Sequence, residues 1–184
     1  MTLATQGISM TTAPTLETER VLLRPHRPDD LDAYAALWAD PIVTRFIGGK
    51  PFRREDSWGR ILRYAGMWQF VGFGLWVVED KATGDLIGEA GFHEMKREIV
   101  PSFDGAPEAG WVFTPAVHGR GLASEVVGRM HDWANGRPGF ERTVCIIAPE
   151  NSASLAVARK FDYREQARTT YHGDATVLLE RTAG

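Results

Sequence analysis

Glu108-Ala109-Gly110-Trp111-Val112-Phe113-Thr114-Pro115-Ala116-Val117-His118-Gly119-Arg120-Gly121-Leu122-Ala123-Ser124-Glu125 runs from a strand pattern, through a glycine-rich turn, into the start of a helix. Leu122, Val126, Val127, Met130 and Trp133 then recur at helical spacing as far as Asn135. Successive N–H groups of such a turn, and the free N–H groups of a new helix, converge on one point. An anion there gains hydrogen bonds and the positive potential of the helix end. Gly119 and Gly121 let it approach with no Cβ in the way. A pyrophosphate is the natural guest. Three other readings are open to a bare G-x-G. An ordinary tight turn shares the pattern. A Rossmann site requires a third glycine where Ser124 stands, in the first βαβ unit, whereas three strands precede this one. A Walker loop requires G-K-[ST] at its end, which is absent.

Outward from this stretch the pattern alternates in a definite order. Val21-Leu22-Leu23 reads as a first strand. Pro28-Asp29-Asp30 opens a helix with proline early and acids at the positive end, and Asp40-Pro41 closes it. Trp58, Ile61, Leu62, Ala65 and Trp68 predict an apolar face on a second helix over 54–69. Strands at 75–78 and 86–93 flank Lys81-Ala82-Thr83-Gly84, which has hairpin-turn chemistry. A loop over 96–107 follows, then the strand at 108–114 and the helix at 122–135. Thr143 to Ala148 is a buried strand, Asn151 caps a helix to Lys160, and two strands end the chain. The 75–114 run is antiparallel, and 108–148 is a parallel crossover. The expected fold is α/β: a mixed, mostly antiparallel central sheet of about seven strands flanked by helices.

The chain has 184 residues, 43% of them hydrophobic and 24% charged, with a net charge of −3. That length fits a single domain, expected over 15–184 behind a disordered tail at 1–14. The weak net charge argues against nucleic acid or an anionic membrane as partner. No apolar run approaches the ~20 residues of a membrane span, and the first residues lack the pattern of a signal peptide. The expected compartment is the cytoplasm. Cys145 is the only cysteine, so no intrachain disulfide forms, and its apolar neighbours mark it as core. No metal site is expected.

His118-Gly119-Arg120-Gly121-Leu122-Ala123 resembles the Q/R-x-x-G-x-G/A acetyl-CoA motif of the GNAT superfamily, with His118 in place of Gln or Arg. A later segment agrees. Asn151-Ser152-Ala153-Ser154 matches that family's N-x-x-S, and Lys160-Phe161-Asp162-Tyr163 stands for its K-x-G-F, with Asp162-Tyr163 replacing Gly-Phe. The segments LETERVLLRP at 16–25 and GDLIGEAGF at 84–92 resemble the RimJ/RimL-like branch. The resemblance covers roughly residues 16–181 and two spaced motifs in order.

The resemblance implies an acyl-CoA-dependent N-acetyltransferase that uses acetyl-CoA and acts on an amine, either a peptide N-terminus or a small molecule. It implies that the backbone of Val112, Phe113 and Thr114 holds the pantetheine. It implies that His118, Gly119, Arg120, Gly121, Leu122 and Ala123 hold the pyrophosphate, with Asn151 and Ser154 near the thiol. Ser154 is then the candidate donor to the leaving thiolate. Glu108, His93 and Glu94 gather near the acyl end as candidate bases; Glu108 and Glu94 are equally readable as solvated strand-end residues, and for His93 that reading is favoured. The Glu and Tyr used by some N-terminal acetyltransferases would fall at Ile147 and Ala158, so that mechanism is absent. A non-catalytic CoA-binding sensor is the alternative, and a possible homodimer is the expected assembly.

Overall fold

The computed structural model describes residues 13–183. Eight strands form one sheet in the order β1-β2-β3-β4-β5-β6-β8-β7. They are β1 (Leu16–Glu17), β2 (Val21–Arg24), β3 (Leu75–Asp80), β4 (Leu86–His93), β5 (Glu108–Phe113), β6 (Arg142–Ile147), β7 (Arg164–Tyr171) and β8 (Asp174–Thr182). Every neighbouring pair is antiparallel except β5 and β6. The mostly antiparallel mixed sheet, the hairpin and the parallel crossover all match expectation. The eighth strand is β1, too short to leave a periodic signal. The expected tail at 1–14 falls outside the described residues as far as residue 12. Ala13 is buried in the core, and the Pro14 carbonyl accepts the Trp76 indole N–H at 2.7 Å.

Helix α4 (Leu122–Ala134) crosses one face of the sheet and buries Leu122, Val126, Val127, Met130 and Trp133. These meet Trp76, Ala90 and Phe92 of the sheet and Leu155 of α5 (Ser152–Lys160) in the main core. Three more helices are α1 (Leu31–Ala39), α2 (Pro41–Thr44) and α3 (Arg54–Phe70): Tyr34 of α1 and Arg60 of α3 bond Glu89, while Trp68 near the end of α3 joins Trp76 and Trp133 in the main core. The short α2 is not foreseen by the pattern: Asp40 ends α1 and also caps the new turn, accepting from Ile42 N at 2.7 Å.

The face of α3 differs from the expected one. Ser57, Ile61, Tyr64 and Trp68 are buried, while Trp58 is 36%, Leu62 54% and Phe70 91% exposed. A buried acid causes the rotation. Glu89 on β4 draws Arg60 and Tyr64 inward, because a sealed carboxylate needs charged and hydrogen-bonding partners.

His131 on α4 is buried among Phe92, Phe161 and Tyr163, and neither ring nitrogen has a partner among the described residues. Burial, aided by the charge of Arg181, lowers its pKa from 6.5 to about 3. Between those values the unfolded chain binds a proton that the folded chain refuses. Stability therefore falls as pH drops below 6.5. The loss from this residue is about 2 kcal/mol between pH 7 and pH 5. Buried His93 adds a loss of the same sign, so urea titrations at the two pH values should show a larger total difference in the native chain, reduced by about 2 kcal/mol in His131→Phe.

Candidate active site

The parallel pair β5 and β6 opens like a fork. Its register has one Cα pair, Glu108 with Val144, reinforced by Val144 N donating to Pro107 O at 3.0 Å. Beyond that point the strands diverge. A cavity of about 560 Å³ occupies the gap and runs over the neighbouring sheet face. Its lining includes Trp111 and Val112 of β5, Cys145 to Ile147 of β6, and Asn151 and Ser154 at the start of α5.

Backbone groups alternate along a strand, so only every second residue of β5 faces the gap. Thr114 N donates to Ile87 O at 2.9 Å, which turns Thr114 and Val112 toward β4. Trp111 and Phe113 therefore turn their amides and carbonyls toward the opening. Of the three backbones expected to hold pantetheine, Phe113 faces the gap and Val112 and Thr114 do not. The Phe113 carbonyl is already met by His118 Nε2 at 3.1 Å. Trp111 is the position that the motif alone did not mark. Strand pairing decides it, and pairing parity was not legible.

At the far end of β5 lies the glycine turn. Gly119 and Gly121 take positive φ, 72° and 75°, a conformation that penalises a Cβ. No heavy atom stands within 4 Å of a Cβ built on Gly119, and only Arg20 Nη2, at 3.9 Å, approaches one on Gly121. Gly121 is the N-cap of α4, and no side chain caps the amides of that end. The turn is braced from behind. Arg20 donates Nη1 to Arg120 O at 2.9 Å and Nε to Glu125 Oε2 at 2.7 Å. An open cradle of backbone amides with glycines at its rim fits a pyrophosphate, and the forked strands fit the pantetheine arm that follows it.

At the acyl end, His93 and Glu108 are cross-strand partners, and His93 Nε2 lies 3.8 Å from Glu108 Oε1. Burial lowers the pKa of His93, so its ring is neutral at neutral pH. Its Nδ1 has no partner among the described residues. Arg97 grips Glu108 with two bonds, at 2.6 and 2.9 Å. Gly91 and Gly110, paired across β4 and β5 on the same face, leave the floor beside His93 low. A Cβ on Gly110 would stand 3.1 Å from His93 Nε2. Glu94 points away: it bonds Lys96 and does not line the cavity. Strand parity puts His93 on the cavity face and its neighbour on the other.

A second group, invisible to the motif, forms the cavity's inner wall. Glu89 is fully buried on β4. The Tyr34 hydroxyl donates to its Oε2 at 2.5 Å, Arg60 Nη2 donates to its Oε1 at 3.1 Å, and His26 lies 3.7 Å away. Burial would raise the Glu89 pKa, but Arg60, His26 and Tyr34 reverse this and lower it. The matching proton-rich partner, Tyr34, is pushed well up by burial and by Glu89. Asn151 caps α5, its Oδ1 accepting from Ser154 N at 3.1 Å. The Ser154 hydroxyl makes no bond within the described residues and lines the cavity.

The acetyltransferase (GNAT) domain model matches residues 20–164. The uncharacterized N-acetyltransferase YoaA of Bacillus subtilis (strain 168) is 27% identical over 154 residues, covering 83% of this chain and 84% of that protein. A solved structure from Bordetella pertussis, assigned to the GnaT acetyltransferase family, is 30% identical with TM-score 0.82, covering 92% of this chain and 100% of that one. The ribosomal L7/L12 α-N-protein acetyltransferase RimL in complex with coenzyme A shares the fold at 16% identity and TM-score 0.73, covering 92% and 98% of the two chains. The chain belongs to the GNAT acetyltransferase family and is an acyl-CoA-dependent acetyltransferase whose acyl donor is acetyl-CoA.

Proposed function

We propose that this chain moves an acetyl group directly from acetyl-CoA to a primary amine, with no acyl-enzyme intermediate. The observation that carries the reading is the fork between β5 and β6, whose cavity has His93 and Ser154 on its lining. Acetyl-CoA supplies an activated thioester. The turn at 119–121 binds its pyrophosphate through backbone amides, and Trp111 and Phe113 bind the arm. The only thiol among the described residues, Cys145, is buried, and its pKa is raised well above 9.0 by burial. It is therefore no acyl carrier.

In this reading, neutral His93 accepts the proton of the attacking amine. Glu108 stands behind the ring and stabilises the imidazolium that forms, while Arg97 fixes the carboxylate. Ser154 donates to the sulfur as the C–S bond breaks. The 16–25 segment and the shared RimL fold support a RimJ/RimL-like placement, with a peptide N-terminus or a small amine as acceptor. A thiol-release assay with a panel of amines tests the whole. Release of CoA that depends on one added amine is the expected result. CoA binding with no amine-dependent release from any member would instead establish a sensor.

A further inference from the structure

The inner wall of the cavity offers guanidinium where its sequence offers acid. Two ion pairs stand on it, and in each the carboxylate lies behind the arginine. The side chain of Glu89 is 1% exposed and that of Arg60 16%. The side chain of Glu108 is 5% exposed and that of Arg97 17%. A ligand entering the cavity therefore meets the two arginines first. Asp174 is the remaining acid of the lining, and it is exposed on the β7–β8 hairpin.

Both guanidiniums are held rigidly and are only partly used. Arg60 donates Nη2 to Glu89 and to the Tyr64 hydroxyl at 2.8 Å, and Nε to the Tyr34 hydroxyl at 3.4 Å. Its Cζ lies 3.8 Å from the centroid of Trp38, which fixes the plane. Arg97 commits Nε and Nη2 to Glu108 and packs over Tyr171, 5.0 Å from the ring centroid. Arg60 Nη1 has no partner among the described residues, while Arg97 also bonds the Tyr171 side chain. His93 is influenced by both arginines, each disfavouring its protonated form. Trp38, Phe46 and Phe52 add an apolar side to the same cavity.

Fixed guanidinium edges match a carboxylate better than any other common group, because the donor spacing suits its two oxygens. We propose that the acceptor is a compact amine bearing a carboxylate, of the amino-acid class with an apolar side chain. Arg60 and Arg97 read the carboxylate, and the amine turns to His93. The proposal rests on the transferase reading and narrows it.

The test compares phenylalanine, leucine and methionine with their amides and with their decarboxylated amines. Steady-state kcat/KM is measured for each, and the melting shift of the CoA-loaded protein is recorded with the same compounds. The acids are expected to exceed the decarboxylated amines by about tenfold or more in kcat/KM, mainly through KM, as loss of a charged hydrogen bond implies. They alone should raise the melting point. Arg60→Lys, which keeps a charge against Glu89, and Arg97→Gln should each shrink the preference. An Arg60→Gln/Glu89→Gln double variant covers the event that the single change leaves Glu89 unpaired and unfolds the chain. Equal kcat/KM for acids and decarboxylated amines overturns the proposal and leaves the transferase intact. No acid-selective melting shift, with no turnover of any compound, overturns it as well. Acid-selective stabilisation without thiol release would leave a carboxylate-binding site but overturn these acids as acceptors, and with them the proposal.

Discussion

Gly121→Glu should bind CoA roughly a hundredfold more weakly than the native chain, the equivalent of losing one or two charge-assisted hydrogen bonds. The native affinity expected for this cradle is micromolar, on the order of −8 kcal/mol. Two effects act in the variant. Gly121 sits at φ 75° as the N-cap of α4, where any Cβ costs about 1–2 kcal/mol. Packing adds little, because the nearest neighbour of the new Cβ is Arg20 Nη2 at 3.9 Å. The larger effect is electrostatic. A carboxylate at that point finds the uncapped amides of α4, the same partners a pyrophosphate would use. The variant thus carries its own competitor. Gly121→Ala brings the strain without the charge and separates the two. Calorimetry is the measurement. Native-like binding by Gly121→Glu would remove the turn from the cofactor site.

What the sequence made legible follows from the range of each signal. The glycine turn, the α4 stripe, the 75–93 hairpin and the Asn151 cap are local, written within a few residues of one another. They were enough to assemble the sheet and to mark the open glycine turn at the start of α4. The Glu89 group is not local. His26, Tyr34, Arg60 and Glu89 come from a loop and three elements spread over the first half of the chain, and each looks ordinary alone. Once they meet, the cost of a sealed carboxylate decides the face of α3, turning Tyr64 inward and Trp58 outward against the apolar count. Strand parity accounts for the other differences. It separates His93 from Glu94 at the end of β4, and Trp111 from Val112 on β5. A one-residue offset reverses which side chain or amide reaches the cavity, and only the pairing with β4 fixes it.

Ser154→Ala should keep CoA binding and lose about ten- to a hundredfold in kcat. A serine at this place has two possible duties, and the geometry separates them. One is to cap α5, which would cost about 1 kcal/mol of stability on removal and leave the rate alone. That duty is already filled, because the Asn151 side chain accepts from Ser154 N at 3.1 Å. The Ser154 hydroxyl is left over, without a bond inside the described residues, on the lining of a cavity that also holds His93. A hydroxyl so placed is solvated before substrate binds, so its loss leaves little mark on folding. As the C–S bond breaks, negative charge grows on sulfur, and the hydrogen bond to it strengthens with that charge. An interaction stronger in the transition state than in the ground state is lost from kcat when removed. One hydrogen bond to a charged group is worth about 1.5–3 kcal/mol, which sets the expected factor. Asn151→Ala is the complementary variant. It should lower the melting point through the lost cap, with any loss of rate following from displacement of Ser154. Steady-state kinetics and thermal melts on both proteins decide the matter. A native kcat with a lowered melting point in Ser154→Ala would strike the serine from the chemistry and assign it to the helix end.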